Sequence, residues 1–336
     1  MEKAAKLQTK RLALLYSLFT VLMIGSVALY IYSRTFAKAS RLGVAMEAAA
    51  FNSIMSRALP ALLGMIICGF LIAILSLVFQ TITESRILTP SMIGFDTIFV
   101  GTQTLLVFMF GTVADIFVNP YLNYLVATGV MVAVSMLMFG FILRKNKNNL
   151  IFLLMFGLVL SGVINSGSSY LVTIMDANDV LHLHAATSVN INNMNTNIIY
   201  LAVPIIFTLA LLILCRHRTY DVMSLGSDNA KSLGVNYNRE VNWNLFLISL
   251  GMSVITALIG PLGFLGLLAV NISREMFKTH KHLHLFIGSA ALASLSLVLG
   301  QSVVELLQGS VPVMVIINLV GCSYMFYLIL KENRIK

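Results

Sequence analysis

Charge is what this sequence has least of. Only 10% of its 336 residues are Asp, Glu, Lys or Arg, against about 25% in soluble domains, and that shortage excludes a water-soluble globular fold. Some 58% of the residues are hydrophobic and the mean hydropathy is +0.91. That is enough for about nine or ten spans of ~20 residues each, and it leaves no large soluble domain. Cysteine is also scarce. Cys68, Cys215 and Cys322 lie far apart, in or at the edges of apolar stretches, and read as small packing residues rather than disulfide or metal ligands. No GxxxxGK[ST] motif is present, so the chain does not hydrolyse nucleotides through a P-loop. No HExxH and no nucleophile paired with a base occurs either, so no catalytic residue, resident metal or cofactor is expected. Basic residues outnumber acidic ones, 22 to 13, yet they are spread over several loops without an aromatic-studded patch, which excludes a nucleic-acid partner. In their place are 22 glycines and 18 methionines, which suit close helix packing and adaptable apolar surfaces.

The apolar runs predict an all-α, polytopic fold embedded in the lipid bilayer. Ten spans are expected, over 12–32, 58–80, 96–117, 121–143, 150–170, 198–215, 242–260, 262–277, 284–306 and 311–330, in one transmembrane domain covering 1–336. The eighth is short and follows Gly260-Pro261, a pair that breaks helices. The first lacks a small-residue cleavage site and reads as a retained helix. With the N-terminus inside, eighteen Lys and Arg residues fall in cytoplasmic segments. Only Arg34, Lys38, Arg41 and Arg57 fall outside. The bias places both termini in the cytoplasm of a plasma-membrane protein.

One polar island interrupts the apolar pattern, over about 216–241. Its core reads Asp221-Val-Met-Ser-Leu-Gly-Ser-Asp-Asn-Ala-Lys-Ser-Leu-Gly-Val235. Ser227 or Asp228 can cap a helix start, and Gly234 can supply the left-handed residue that ends one. The helix between them spans roughly 9 Å, with Ala230 and Leu233 on one apolar face. It is either a knob for a partner's socket or a helix lying on the lipid surface.

Other candidates are fewer. Asp96, Asp115 and Glu305 are the ionisable residues nearest the spans, each close to a span end, which argues against a proton relay. His182 and His184 in an outer loop, and His280, His282 and His284 in an inner one, have alternate spacing that could hold a metal; solvated loop histidines are the simpler reading. In the fifth span Gly157, Ser161, Asn165 and Ser169 recur every four residues and share a face that avoids lipid. Such a face either packs against a neighbouring helix or lines a wet passage. The outer segment Asp176 to Asn197, rich in Asn, Ser and Thr, is expected to be a solvated loop.

Chain-wide, the sequence resembles the permease subunits of the iron-siderophore and cobalamin family of ATP-binding-cassette (ABC) importers. The island matches that family's Leu-Gly-x-x-x-Ala-x-x-Leu-Gly coupling segment through Leu225, Gly226, Ala230, Leu233 and Gly234. Gly260-Pro-Leu-Gly-Phe-Leu-Gly-Leu267 resembles its Gly-Pro-Ile-Gly-Phe-x-Gly-Leu segment, and Arg274 falls where its arginine sits. Val311-Pro-Val313 and Gly321 are similar to the last span's Leu-Pro-Val/Ile and glycine. Arg57-Ala-Leu-Pro60 is similar to Arg-Leu-Pro-Arg, with Gln80 closing the second span. The chain also departs from the pattern. Ser85 to Asp96 replaces Asn-Pro-Leu-Ala-Asp-Pro, Val270-Asn271 replaces Pro-His, Ala61 replaces the second arginine, and Ser310 replaces the acid before the final Leu-Pro. These variants look like the subgroup that imports ferric catecholate-type siderophores such as petrobactin.

The resemblance implies a type II ABC importer permease fold of ten helices. It also implies a second permease subunit, identical or different, two ATP-binding subunits beneath, and a siderophore-binding protein that delivers the ferric chelate. Leu225, Gly226, Ala230, Leu233 and Gly234 would then form the ATPase-coupling knob. Arg57 would pair with a binding-protein carboxylate, and Ser161, Asn165 and Ser169 would line the passage. The residues taken alone also admit an ion-gradient-driven secondary transporter, which predicts a buried charged site, or a docking receptor that transports nothing.

Overall fold

The computed structural model describes residues 2–42, 48–111, 119–145, 150–189, 191, 196–307 and 311–333. Among them are thirteen α-helices and no strand. The helices are α1 (Glu2–Leu42), α2 (Ala48–Ile82), α3 (Phe95–Phe110), α4 (Pro120–Lys145), α5 (Leu150–Ile174), α6 (Ala177–Thr187), α7 (Thr196–Cys215), α8 (His217–Met223), α9 (Ser227–Ser232), α10 (Tyr237–Ile259), α11 (Leu265–Phe277), α12 (His282–Leu306) and α13 (Val313–Asn333), with a 3-10 turn at Pro90–Ile93. Among the described residues, seven stretches are long and apolar enough to cross a membrane: Leu12–Thr35, Ile54–Ile82, Pro120–Gly140, Phe152–Ile174, Thr196–Cys215, Tyr237–Ile259 and His282–Leu306. Phe95–Phe110 and Val313–Tyr327 are shorter apolar helices.

The chain divides into two compact units, 1–77 with 265–336, and 78–264. In the first, α12 packs against α1, α11 and α13. Glycine lets α2 approach α12 closely: a Cβ on Gly69 would lie 2.9 Å from the Ser294 backbone, and Ser294 Oγ donates to the Ile66 carbonyl at 2.9 Å. Bare backbone contact of this kind replaces the hydrophobic drive that helices lack in lipid. In the second unit α10 is the most buried long helix and packs against α4, α7 and α3, while α3 and the 3-10 turn pack against α5.

The eighth predicted span starts later than its hydropathy suggests. Gly260 (φ +96) and Gly263 (φ +52) hold left-handed backbone, and Pro261 has no N–H to give, so helix resumes only at Leu265. The thirteen residues of α11 reach about 20 Å, less than the ~30 Å hydrocarbon core. The outer segment expected to be a solvated loop contains α6, which turns Leu183 inward. Arg34, expected in an outer loop, belongs to α1; it is buried, with its guanidinium donating to the Tyr30 hydroxyl. All three cysteines are free, Cys68 buried, Cys215 and Cys322 exposed.

Candidate functional site

The polar island is a small folded structure. At its two ends the Arg216 guanidinium pairs with the Glu240 carboxylate. One turn further in, the Tyr220 hydroxyl donates to Asn244 Oδ1 at 2.5 Å, and Asn244 Nδ2 donates to the Glu240 carbonyl at 2.8 Å. Burial pushes the Tyr220 phenol above its ordinary value, more than Arg216 draws it down, and Glu240 adds to the rise. It therefore stays protonated as the donor. These bonds tie α8 to the first turns of α10. Asn236 caps α10, its side chain accepting the Arg239 N–H at 3.4 Å.

Between these ties lies α9, six residues long and so about 9 Å. Its end is a Schellman turn: Val235 N–H reaches the Ala230 carbonyl and Gly234 N–H the Lys231 carbonyl, both at 3.0 Å. Gly234 holds the left-handed position expected of it, at φ +85. Two local expectations are corrected. Neither Ser227 nor Asp228 caps the helix. Gly226 occupies the cap position at φ +95 and offers no side chain, so the Ser227 N–H turns to the Glu84 carboxylate, 3.1 Å away. Nor do Ala230 and Leu233 share a face: Ala230 is fully buried, whereas Leu233 lies past the last helical residue and is 62% exposed. Leu225, before the helix, is 56% exposed. The outer face of the island therefore carries a leucine at each end of a short helix whose inner face is anchored. The Asp228 to Lys231 ion pair, at 3.5 Å, is a surface pair that stabilises little.

The stripe on α5 divides. A Cβ on Gly157 would strike the Ile93 carbonyl oxygen at 2.6 Å, and one on Gly94 would meet Ser161 Oγ at 2.1 Å, so Gly157 and Ser161 pack against the 3-10 turn. Ser161 Oγ also donates to the Gly157 carbonyl at 2.8 Å. Asn165 and Ser169 are exposed. The reason is geometric: residues four apart advance roughly 40° around a helix, so the stripe winds off the packed side within two turns. The α5 span is also the least buried of the long ones, at 11%.

The remaining candidates are dispersed. Arg57 is exposed near the start of the second span and makes no ion pair among the described residues. Asp96 stands at a helix start, as expected, but its carboxylate is enclosed. Oδ2 accepts the Gly263 N–H at 3.2 Å, and Oδ1 is buried with no hydrogen-bond partner among the described residues. Asp115 and Ser310 lie outside the described residues. Glu305 is half-buried near the end of α12. His182 and His184 are exposed on α6, about 200° apart around it. His282 is buried, and His284 shares a hydrogen bond with the Tyr16 hydroxyl at 2.7 Å. No group of three metal-ligating side chains occurs among the described residues. Sequence reasoning missed Glu84 and Tyr237, whose hydroxyl donates to the Ile82 carbonyl at 3.1 Å. A lone acid just after an apolar run was the only available signal.

The sequence pattern of the FecCD transport family matches residues 12–331. The petrobactin import system permease protein YclO of Bacillus subtilis (strain 168) is 36% identical over 279 residues, which cover 83% of this chain and 89% of that protein. The petrobactin import system permease protein FatC of Bacillus anthracis is 32% identical over 243 residues, covering 72% and 69%. Among solved structures, an inward-facing conformation of a metal-chelate type ABC transporter shares the fold with a TM-score of 0.78 at 18% identity, covering 94% of this chain and 99% of that one.

Proposed function

The chain belongs to the FecCD transport family, and from that premise we propose that it is the permease subunit of an ABC importer for a ferric siderophore of catecholate or petrobactin type. It is a multi-pass membrane protein and a transport component. On this reading it forms a single permease domain over 1–336 in the plasma membrane, with both termini cytoplasmic, as the Lys and Arg distribution favours. It carries no nucleotide site of its own. Two ATP-binding subunits bind beneath, a second permease subunit completes the passage, and a siderophore-binding protein delivers the chelate.

The observation that carries the reading is the island's geometry. Ala230 anchors α9 inward, the glycines at 226 and 234 set tight turns at either end, and Leu225 and Leu233 stand out toward solvent. An apolar pair on a polar cytoplasmic loop suits a socket on a motor subunit. Arg57 fits a rim contact with a binding-protein carboxylate, which aids encounter and register. Asn165 and Ser169 fit the passage. An amide facing lipid is costly, so the exposed side of α5 suits a second permease or a wet channel, while Ser161 supports that wall from behind.

The test is uptake of radiolabelled ferric petrobactin by cells with the ion gradient intact. Deleting the partner ATPase abolishes uptake if the reading holds. Uptake that survives the deletion but fails when the gradient is collapsed means a secondary transporter, and rejects it.

A further inference from the structure

We propose that Glu84 is the positioning residue of the coupling helix, and that its bond to the Ser227 N–H passes displacement of α9 to the end of α2. The inference rests on reading α9 as the contact with the ATPase subunits.

Two features of the Glu84 turn point to this role. The first is backbone conformation. The Ser85 N–H bonds back to the Gln80 carbonyl at 3.3 Å, so α2 closes in the Schellman pattern, and Glu84 fills the left-handed position at φ +52. Glycine is the usual occupant there, because a Cβ is strained at positive φ. A glutamate at this site keeps the strain and gains a carboxylate.

The second feature is where that carboxylate goes. Glu84 Oε1 accepts the Ser227 N–H at 3.1 Å across 143 residues of sequence. A Cβ on Gly226 would lie 3.7 Å from it, an ordinary contact, so the left-handed backbone at φ +95 is what favours glycine at the cap. The first N–H groups of any helix lack intrahelical acceptors, and Gly226 has no side chain to supply one. Glu84 thus does from α2 what a cap residue would do from within the island.

A second bond runs parallel to the first. The Tyr237 hydroxyl, buried, donates to the Ile82 carbonyl at 3.1 Å, taking up an acceptor at the C-terminal end of α2 that lacks a helical donor. The island is held before α9 by Glu84, just past the end of α2, and after α9 by Tyr237, which reaches the last turn of α2. A push on the exposed leucines therefore reaches α2 through short, directional contacts.

The experiment uses the whole transporter in proteoliposomes, with its binding protein and ferric petrobactin, and reads ATP consumed per iron imported at equal permease content. Glu84→Gly keeps the left-handed turn and removes the carboxylate. Ser227→Pro removes the donor while leaving Glu84 in place, at a first helical position that tolerates proline. Each variant is expected to consume roughly fivefold more ATP per iron, the scale of a lost cap. The double variant is expected to be no worse than either single one, since both break one contact. Glu84→Gln, which keeps an acceptor oxygen, is expected to recover most of the coupling.

Wild-type stoichiometry in Glu84→Gly and Ser227→Pro, beside uncoupling in Leu233→Asp, would overturn the Glu84 assignment and leave the coupling reading standing. Wild-type behaviour in Leu233→Asp as well would overturn both. Additive losses in the double variant, with no recovery in Glu84→Gln, would make Glu84 a mere structural residue and also overturn the assignment.

Discussion

Truncating Leu225 and Leu233 to alanine should separate docking from folding. Fully burying a leucine side chain stabilises by about 1.5–3 kcal/mol. Leu225 is 56% exposed and Leu233 62% exposed, so a partner can still cover a little over half of each. The gain on docking is then about 1–2 kcal/mol per residue, near a tenfold change in Kd for each single variant. If the two leucines, at opposite ends of α9, act independently, the double variant should weaken ATPase binding about a hundredfold. Stability of the permease should hardly move, because neither side chain supports its interior; Ala230 does. The assay is titration of detergent-solubilised permease with the purified ATPase subunit, paired with thermal unfolding of the permease alone. Binding within about twofold of wild type in both single variants, or a binding loss that tracks a fall in the unfolding midpoint, would refute the assignment of these leucines as the docking face.

Two further predictions address other parts of the molecule. In Gly157→Ala the new Cβ meets the Ile93 carbonyl oxygen at 2.6 Å, whereas in Gly162→Ala it meets nothing within 4 Å. Both variants gain the same helix propensity, so the difference between them isolates the clash, about 1–3 kcal/mol, read as a thermal midpoint several degrees lower for Gly157→Ala. Equal midpoints would mean that α5 does not lie against the 3-10 turn. Arg57→Glu should slow association of the binding protein and weaken its salt dependence while leaving ATPase binding unchanged; unaltered association kinetics would remove Arg57 from the docking surface.

What the sequence makes legible follows from how strongly each force acts locally. Lipid demands long apolar runs, so most spans could be read directly, as could the end of α9, because only certain residues accept the backbone of Gly234. The face presented by Leu233 could not be read that way. Its helix stops one residue earlier, and positions three apart are offset by about 60° around the axis, so Ala230 faces in while Leu233 stands out. Glu84 was illegible for a different reason: its partner is a backbone N–H far along the chain, and backbone donors leave no mark in a sequence. The α5 stripe was ambiguous because its residues do not share one environment: Gly157 and Ser161 pack against the 3-10 turn, while Asn165 and Ser169 are exposed. For Asp96, position alone misled. It does begin a helix, but that helix begins beside Gly157 and Ser161 in the middle of a neighbour, and the carboxylate is enclosed there.

The ion pair between Arg216 and Glu240 has a consequence for how such permeases diversify. Because the segment it encloses is fastened at its own neck, substitutions on the outward rim leave the entry and exit of the chain where they were. On the proposed coupling role, altering a few rim residues would change the ATPase partner while the neck stays in place. Transplanting the segment between relatives, neck included, should likewise carry partner preference with it.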